Sequence, residues 1–216
     1  RESVVGLSKL WCQILGLAAF LTTPIYIFVF FNAEQLLVFL FGETYAGAKI
    51  IFALCVFFSW VQTVLGWNLT SSTLFILHQR KTVLSSTIEG SVINILLNLI
   101  LIPTYGVTGA VFSTGLVMVY MVLRQLYVVQ KEVQIGPAFP VITKCFFFSL
   151  TAGFIAKGGA WLVLDHVVFN AVVYLIAFTV LLAWIKPFTQ EHRILISEKI
   201  PSLDPIAKWF SQADAL

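Results

Sequence analysis

The chain alternates between long apolar segments and short polar ones from residue 10 to residue 185. An α-helix rises about 1.5 Å per residue, so about 20 apolar residues cross the roughly 30 Å hydrocarbon core of a bilayer. The pattern predicts an all-α polytopic membrane protein with a transmembrane domain at residues 1–187. Its six predicted transmembrane helices are residues 10–31, 46–77, 82–102, 107–126, 140–164 and 167–185, and residues 188–216 form a cytoplasmic tail.

The third and fourth predicted helices form a hairpin around which we expect the other helices to be arranged. They are joined by Pro-Thr-Tyr-Gly at residues 103–106, a turn too short to do anything but reverse the chain. The first arm carries Glu89, Asn94 and Asn98. Such groups are costly at membrane depth unless they find partners or water. The other helices are therefore expected to give them a place to face.

Three segments depart from the simple pattern. Pro24 predicts a kink in the first helix. The run at residues 46–77 is about 48 Å long as a helix, well beyond the hydrocarbon core. It is either one long helix or two segments broken near Gly66, and we favour one helix bent at Gly66. The short apolar piece before Gly42 is an interfacial helix or an extension of the first span, and it ends at that glycine.

The composition agrees with a membrane protein. Hydrophobic residues make up 59% of the chain and charged residues 11%, whereas soluble domains are about a quarter charged. Cys12, Cys55 and Cys145 are far apart in apolar segments, and we interpret them as buried, unreactive thiols. The sequence contains no metal, phosphate-loop or hydrolase motif. We therefore expect no cofactor, no metal site, no catalytic residue and no nucleic-acid partner.

The lysines and arginines fall unequally on the two sides of the predicted bundle. Six spans put both ends of the chain on one side, which then holds eleven of the thirteen cations. The positive-inside rule makes that side cytoplasmic. The two cations on the other side are Lys49 and Lys157.

Polar residues in the third predicted helix form two faces. At 100° per residue, Thr87, Ser91, Asn94 and Asn98 share one face, and Glu89 points roughly the opposite way. The asparagine face is either interhelical hydrogen bonding or part of a substrate pathway. Glu89 is either a functional carboxylate or the partner of a lysine or arginine.

The second predicted helix also has a polar face. Ser59, Gln62, Gly66, Thr70 and Thr73 share it, and Trp60 and Trp67 lie on another. Polar faces on two successive helices suggest a shared, water-filled cavity, and walls of tryptophan and carboxamide would suit a sugar or another neutral polar group. The candidate substrate-pathway residues are Glu89, Asn94, Asn98, Gln62, Asn68 and Trp67.

The fourth predicted helix carries small residues at four-residue spacing. Gly109 with Ser113, and Ala110 with Thr114, would allow another helix to approach closely. We interpret this face as a packing device. Arg124, at the other end of the helix, is interpreted as a lipid-headgroup anchor rather than a substrate ligand.

The segment at residues 94–114, NILLNLILIPTYGVTGAVFST, resembles the signature hairpin of oligosaccharide flippases in the multidrug/oligosaccharidyl-lipid/polysaccharide exporter superfamily. The segment FGETYAGA at residues 41–48 is similar to a loop of the family's C-terminal lobe. The resemblance implies two lobes around a central cavity, with alternating access. It also implies transport of undecaprenyl-pyrophosphate-linked saccharides across the bacterial cytoplasmic membrane, for O-antigen and related polysaccharides.

On this resemblance the chain is most of the C-terminal lobe, and its partners are membrane lipid, the lipid-linked oligosaccharide and an N-terminal lobe supplied by the same protein. Half of a cavity cannot alternate, so we expect no transport by this segment alone. The family uses cationic cavity residues for the pyrophosphate. No lysine or arginine lies in the middle of a predicted span, so the pyrophosphate contact is expected from the other lobe.

Two other functions fit the sequence less well. A cation-coupled multidrug antiporter of the same superfamily would use Glu89 as its coupling carboxylate. A membrane-bound transferase would place histidine or paired carboxylates near one membrane face. His78, His166 and His192 fall in predicted loops or in the tail. The sequence thus favours a transporter over an enzyme.

Overall fold

The computed structural model describes residues 2–133, 136, 139–162 and 167–185, and these residues form α-helices joined by short turns. No strand occurs among them, which confirms the predicted all-α class. The predicted tail and the turn at residues 165–166 lie outside the described residues. The helices are α1 (Glu2–Phe31), α2 (Ala33–Phe41), a 3-10 helix (Glu43–Ala48), α3 (Lys49–Val64), α4 (Trp67–Ile76), α5 (Arg80–Val129), α6 (Phe139–Leu162) and α7 (Val167–Ile185).

Helix α5 folds back on itself at Gly106, which has φ 57° and ψ −136°. Only glycine adopts this backbone conformation without strain. The first arm (residues 80–105) and the second arm (residues 107–129) then run antiparallel. The contacts that show this are Asn98 with Ser113, Gly90 with Met121, and Ser86 with Gln125. The predicted hairpin is therefore present, with its turn where the Pro-Thr-Tyr-Gly sequence places it.

Helices α3 and α4 form one bent rod, which we call the α3–α4 rod, with the bend at Gly66. Gly66 has the left-handed values φ 69° and ψ 44°. The bend lies where it was predicted, but the helix is interrupted there and not merely curved. The rod runs parallel to the second arm of α5. Its contacts with that arm are Phe58 with Phe112, Gln62 with Met118, and Ser71 with Gln125.

The segment between α1 and α3 contains a separate short helix, α2. It begins after Asn32 and ends at Phe41, where Gly42 has φ 91°. The side chains of Glu34 in α2 and Lys49 in α3 form an ion pair of 2.8 Å. The apolar piece is thus neither a span nor a simple extension of α1, and it stops at the predicted glycine. Helix α1 itself continues through Pro24.

Helix α1 lies at the centre of the described bundle. It runs antiparallel to the α3–α4 rod, because Leu15 lies beside Gly66 while Thr23 contacts Trp60 nearer the start of the rod. Two apolar clusters surround it. One joins the first half of α1 to the α3–α4 rod, the second arm and the start of α6, and the other joins the second half of α1 to α6 and α7.

Helices α6 and α7 complete the alternation of directions. Phe31, at the end of α1, packs on Gly153 and Phe154, so α6 runs parallel to α1. Phe178 near the end of α7 meets Phe20, whereas Asn170 near its start meets Asn32, so α7 is antiparallel to α1. Successive long helices therefore point in opposite directions.

Three helical segments are long and apolar enough to cross a membrane, judged over the described residues. They are Gly6–Phe31, Glu43–Ile76 and Arg80–Val129, with mean hydropathies of 2.2, 1.9 and 1.8. Many large apolar side chains on their surfaces are exposed, among them Ile95 at 62% and Leu99 at 68%. A hydrocarbon surrounding would accept these side chains, so the structure is compatible with a membrane location.

Small residues on the second arm allow close packing, as the sequence predicted. A Cβ added to Gly109 would lie 2.3 Å from the carbonyl oxygen of Leu101 on the first arm. A Cβ added to Gly115 would lie 2.1 Å from the Phe58 ring of α3. The glycines therefore let the second arm touch both the first arm and the α3–α4 rod.

Replacing Gly115 by alanine is expected to destabilise the protein by about 1–3 kcal/mol, because the added methyl group overlaps a packed ring. Gly158→Ala in α6 is the matched control, since a Cβ at that position meets nothing within 4 Å. Alanine at an open helical position stabilises by about 1 kcal/mol. The measurement is the unfolding midpoint followed by circular dichroism in mixed micelles. Equal midpoints for the two variants would contradict the packing described here.

Candidate functional site

A cavity of about 510 Å³ lies between α1 and the α3–α4 rod, at the bend around Gly66. Residues on both sides of the bend line the cavity together with residues of α1. The lining residues include no carboxylate, amine, guanidinium or imidazole group. They are Ile14, Leu15, Ala18, Tyr26, Ser59, Gln62, Thr63, Gly66, Trp67, Asn68, Leu69 and Ser72.

Two of the predicted carboxamides lie in this wall with hydrogen-bonding capacity to spare. Gln62 donates from Nε2 to the sulfur of Met118 at 3.0 Å, and this is the only hydrogen bond of its side chain to the described residues. A thioether is a weak acceptor, and the side-chain oxygen of Gln62 is not used in that contact. Asn68 is exposed, and its side chain makes no hydrogen bond within the described part of the chain. Both groups can therefore exchange hydrogen bonds with a ligand.

Trp67 adds an aromatic surface to the same wall. It lines the cavity and also packs against the apolar cluster of α1 and the α3–α4 rod. An indole ring offers a flat apolar face together with one N–H donor. Three of the candidate pathway residues, Gln62, Trp67 and Asn68, thus line the same cavity.

Hydroxyl groups connect the wall formed by α1 to the wall formed by α3. The hydroxyl groups of Tyr26 and Thr63 are 3.4 Å apart, and Thr63 also donates to the Ser59 carbonyl at 2.8 Å. Next to them, the Trp60 indole N–H donates to Thr23 at 3.2 Å. These contacts fix the spacing of α1 and α3, which preorganises the space between them.

Asn94 and Asn98 do not line this cavity. Asn98 donates to Asn94 at 3.2 Å and accepts a short hydrogen bond from Ser113 on the second arm. Ser113 is fully buried. The asparagine face therefore ties the two arms together, which is the interhelical alternative. The expectation that it shares a cavity with the second span does not hold for this cavity, which forms with α1 instead.

Glu89 also lies away from the cavity, on the hairpin. Its Oε2 accepts a hydrogen bond of 2.7 Å from Tyr120 and lies 3.7 Å from the Arg124 Nε. The side chains of Glu89 and Arg124 are 39% and 40% exposed. Of the two alternatives for Glu89, the structure contains the pairing with arginine, and Arg124 has a partner within the protein besides any lipid headgroup.

A buried glutamine that the sequence analysis did not single out links three segments. The Gln125 side chain is fully buried on the second arm. It accepts from Ser71 of α4 at 2.8 Å and donates to Ser86 of the first arm at 3.0 Å. The signal in the sequence was a carboxamide among apolar residues, next to the charged Arg124. Gln125 is a structural link at the end of the hairpin.

A second buried cluster joins α7 to the junction of α1 and α2. Asn170 donates to Asn32 at 3.1 Å and to Gln35 at 3.0 Å, and Asn32 donates to the Phe28 carbonyl at 2.9 Å. Asn170 is the only amide side chain within the predicted sixth span. It was not recognised because a single polar residue forms no stripe. The cluster fixes α7 against α1.

No family model, curated protein or solved structure matches this chain. Within the described ranges, no three His, Cys, Asp or Glu side chains come together as ligands for a metal ion. The cavity wall instead consists of neutral polar groups, one indole and apolar side chains.

A double-mutant cycle of Asn98→Ala and Ser113→Ala is expected to give an interaction energy of about 0.6–1.7 kcal/mol, the range for hydrogen bonds between helices in membranes. The control cycle pairs Asn98→Ala with Ser91→Ala. Ser91 bonds only the Thr87 carbonyl of its own arm, at 2.9 Å, so those two changes should add to within about 0.5 kcal/mol. The unfolding free energy of each variant is measured in micelles. Additivity in both cycles would show that the arms are not joined at this point.

Proposed function

We propose that this chain forms part of a transporter that moves a lipid-linked oligosaccharide across a bacterial cytoplasmic membrane. The observation that carries the proposal is the cavity at the Gly66 bend. It combines two carboxamides with uncommitted hydrogen-bonding groups and an indole ring, without any ionised lining residue. Cavities of roughly 300–1,000 Å³ with a few placed polar groups are typical of small-ligand sites.

The chemistry of the wall favours a saccharide. Sugar hydroxyls donate and accept hydrogen bonds, and a carboxamide can do both from one side chain, as Gln62 and Asn68 offer. A ring face made of C–H groups can lie on an indole, and Trp67 supplies one. A charged headgroup would find no counter-ion among the lining residues. The saccharide, rather than a pyrophosphate, is therefore the part of the substrate that this cavity would receive.

Further support comes from the resemblance of residues 41–48 and 94–114 to oligosaccharide flippases. On this proposal six transmembrane helices, residues 10–31 to 167–185, form most of a C-terminal lobe. A second lobe of the same protein completes the passage and supplies the pyrophosphate contact. The two lobes would then expose the cavity to each side of the membrane in turn, without covalent chemistry.

The distribution of charge supports an orientation with both ends of the chain in the cytoplasm. Because successive helices alternate in direction, six of the described lysines and arginines lie towards one end of the bundle. They are Lys9, Arg80, Lys81, Arg124, Lys131 and Lys144. The opposite end holds Glu34, Glu43, Lys49 and Lys157. Positive residues are retained on the cytoplasmic side of membrane proteins.

Gln62→Leu and Asn68→Leu are each expected to slow flipping about tenfold, because loss of a hydrogen bond worth about 1.4 kcal/mol reduces a rate or affinity by that factor. The assay uses vesicles from cells that carry the intact coding region. It follows the rate at which a fluorescent polyprenyl-pyrophosphate-linked saccharide becomes accessible to a lectin on the far side. Gln79→Leu is the matched control, since Gln79 is exposed in the turn before α5.

Glu89→Gln distinguishes the flippase from a cation-coupled drug antiporter. If Glu89 only pairs with Tyr120 and Arg124, the variant should flip the lipid-linked saccharide within about twofold of the unmodified rate. An antiporter would instead lose proton-driven efflux of a cationic dye with this change, and Gln62→Leu would leave saccharide movement unaffected. That combination of results would overturn the proposed function.

The orientation is tested with single cysteines in a variant without the three native ones. Thr44→Cys and Lys131→Cys place exposed thiols at opposite ends of the bundle. In intact cells a membrane-impermeant maleimide should label the cysteine at position 44, whereas position 131 should react only after the membrane is permeabilised. The reverse pattern would place both ends of the chain outside the cytoplasm.

A further inference from the structure

A second, smaller space lies beside the polar cavity, between α1, α3 and α6. This crevice has a volume of about 130 Å³. Five of its eight lining residues are aromatic, and none is charged. The lining residues are Tyr26, Ile27, Phe30, Val56, Phe57, Trp60, Phe146 and Leu150.

The polar atoms of the crevice residues are already engaged with hydroxyl groups outside it. The Trp60 indole N–H donates to Thr23, which leaves the ring stacked on Phe146 with 4.9 Å between centroids. The Tyr26 hydroxyl lies 3.4 Å from that of Thr63. Neither Thr23 nor Thr63 lines the crevice. The crevice therefore offers a ligand hydrocarbon contacts only.

Tyr26 lines both the crevice and the polar cavity, so the two spaces adjoin at this side chain. Thr63, which contacts the Tyr26 hydroxyl, belongs to the polar cavity. The phenol thus has its hydroxyl on the polar side of the junction and its ring in the aromatic wall. A polar space and an apolar space that meet at one residue suit a molecule with two matching parts.

The size and chemistry of the crevice indicate what the apolar part is. An enclosed apolar cavity of roughly 150 Å³ binds a molecule of about the size of benzene. The crevice has a similar volume but is open on one side, so it has room for a hydrocarbon segment of about six carbon atoms. Phe30 and Phe57 in its wall are 43% and 42% exposed. A chain from the surrounding lipid phase therefore has a route in.

We propose that the crevice binds the hydrocarbon chain of an amphiphile whose uncharged polar head lies in the adjoining cavity, with Tyr26 at the boundary. An alkyl or acyl glycoside is the simplest molecule that meets both spaces. The inference rests on the proposed function for the saccharide in the cavity, and it adds a lipid site that the saccharide does not require. A phosphate at the junction would find no cation among the residues that line either space.

The test uses the chain reconstituted in phosphatidylcholine vesicles and a photoreactive probe, an octyl β-D-glucoside with a diazirine at the end of its chain. After illumination, mass spectrometry maps the labelled peptides. Labelling at residues 26–30, 56–60 and 146–150 is expected to exceed labelling at the lipid-exposed residues 154–155 at least fivefold. Excess methyl β-D-glucoside, which has the head but no chain, should reduce the crevice labelling.

Leu150→Phe fills the crevice and should lower its labelling at least fivefold. Ile155→Phe is the matched control on the same helix, since Ile155 is 52% exposed, and it should stay within twofold. Phe57→Ala widens the crevice, so in a series of such probes that differ in chain length the best-labelled probe should be a longer one. A variant that merely folded poorly would lose labelling with every probe alike, so this shift in chain length identifies the crevice.

Three results would overturn the inference: the first two would remove the hydrocarbon site, and the third would remove its connection to a sugar. Equal labelling at residues 154–155 and in the crevice shows that no hydrocarbon site exists. Equal effects of Leu150→Phe and Ile155→Phe show the same. If Leu150→Phe removes the labelling but methyl β-D-glucoside and Gln62→Leu leave it unchanged, the crevice binds hydrocarbon unconnected to a sugar. The flipping assay then decides the proposed function by itself.

Discussion

Hydrocarbon offers no hydrogen-bond partner, so each polar side chain on an apolar helix needs one from its own backbone, from another helix or from a wet space beside it. Gln125, Asn98 and Asn170 meet this requirement by bonding to segments distant in the sequence. Apolar packing between helices in lipid discriminates weakly among neighbours, because lipid tails are as apolar as the helices. The three carboxamides therefore do much to determine which helices become neighbours: α4 with the hairpin, the two arms with each other, and α7 with α1.

Gln62 and Asn68 are chemically the same as those carboxamides but are placed differently. Gln62 gives one N–H to a sulfur atom, and Asn68 gives nothing to the described residues. The first set bonds to side chains of other segments, although the buried Asn170 Oδ1 accepts no hydrogen bond from the described residues, and the second set is left for water or a ligand. On the proposed function, the carboxamides of the cavity at the Gly66 bend therefore bind a ligand, whereas the asparagines of the hairpin hold its two arms together. A helical projection of the sequence does not distinguish the two sets.

The features that local sequence determines were predictable, and those that depend on distant neighbours were not. Pro-Thr-Tyr-Gly between two apolar runs specified the hairpin, and a glycine in an overlong apolar run specified the bend. The cavity wall on α1 could not be foreseen, because Tyr26 is the one residue with a polar side-chain group that α1 contributes to the lining, beside Ile14, Leu15 and Ala18. The sequence alone did not show which residue pairs with Glu89, because its partner Arg124 lies on the other arm of the hairpin. Periodicity reveals a polar face but does not say which helix meets it.

The wall of the cavity is divided by a break in the α3–α4 rod at Gly66. Gly66 interrupts the rod and also lets α1 approach, since a Cβ there would lie 2.9 Å from Leu15. Positions 62, 67 and 68 thus lie on both sides of the break and face the same space. On the proposed function their side chains would decide which ligand is accepted, while the hydrogen bond between Thr23 and Trp60 holds α1 and α3 in place. A transporter arranged in this way could adapt to different saccharides through a few wall residues, without altering the packing that holds its helices together.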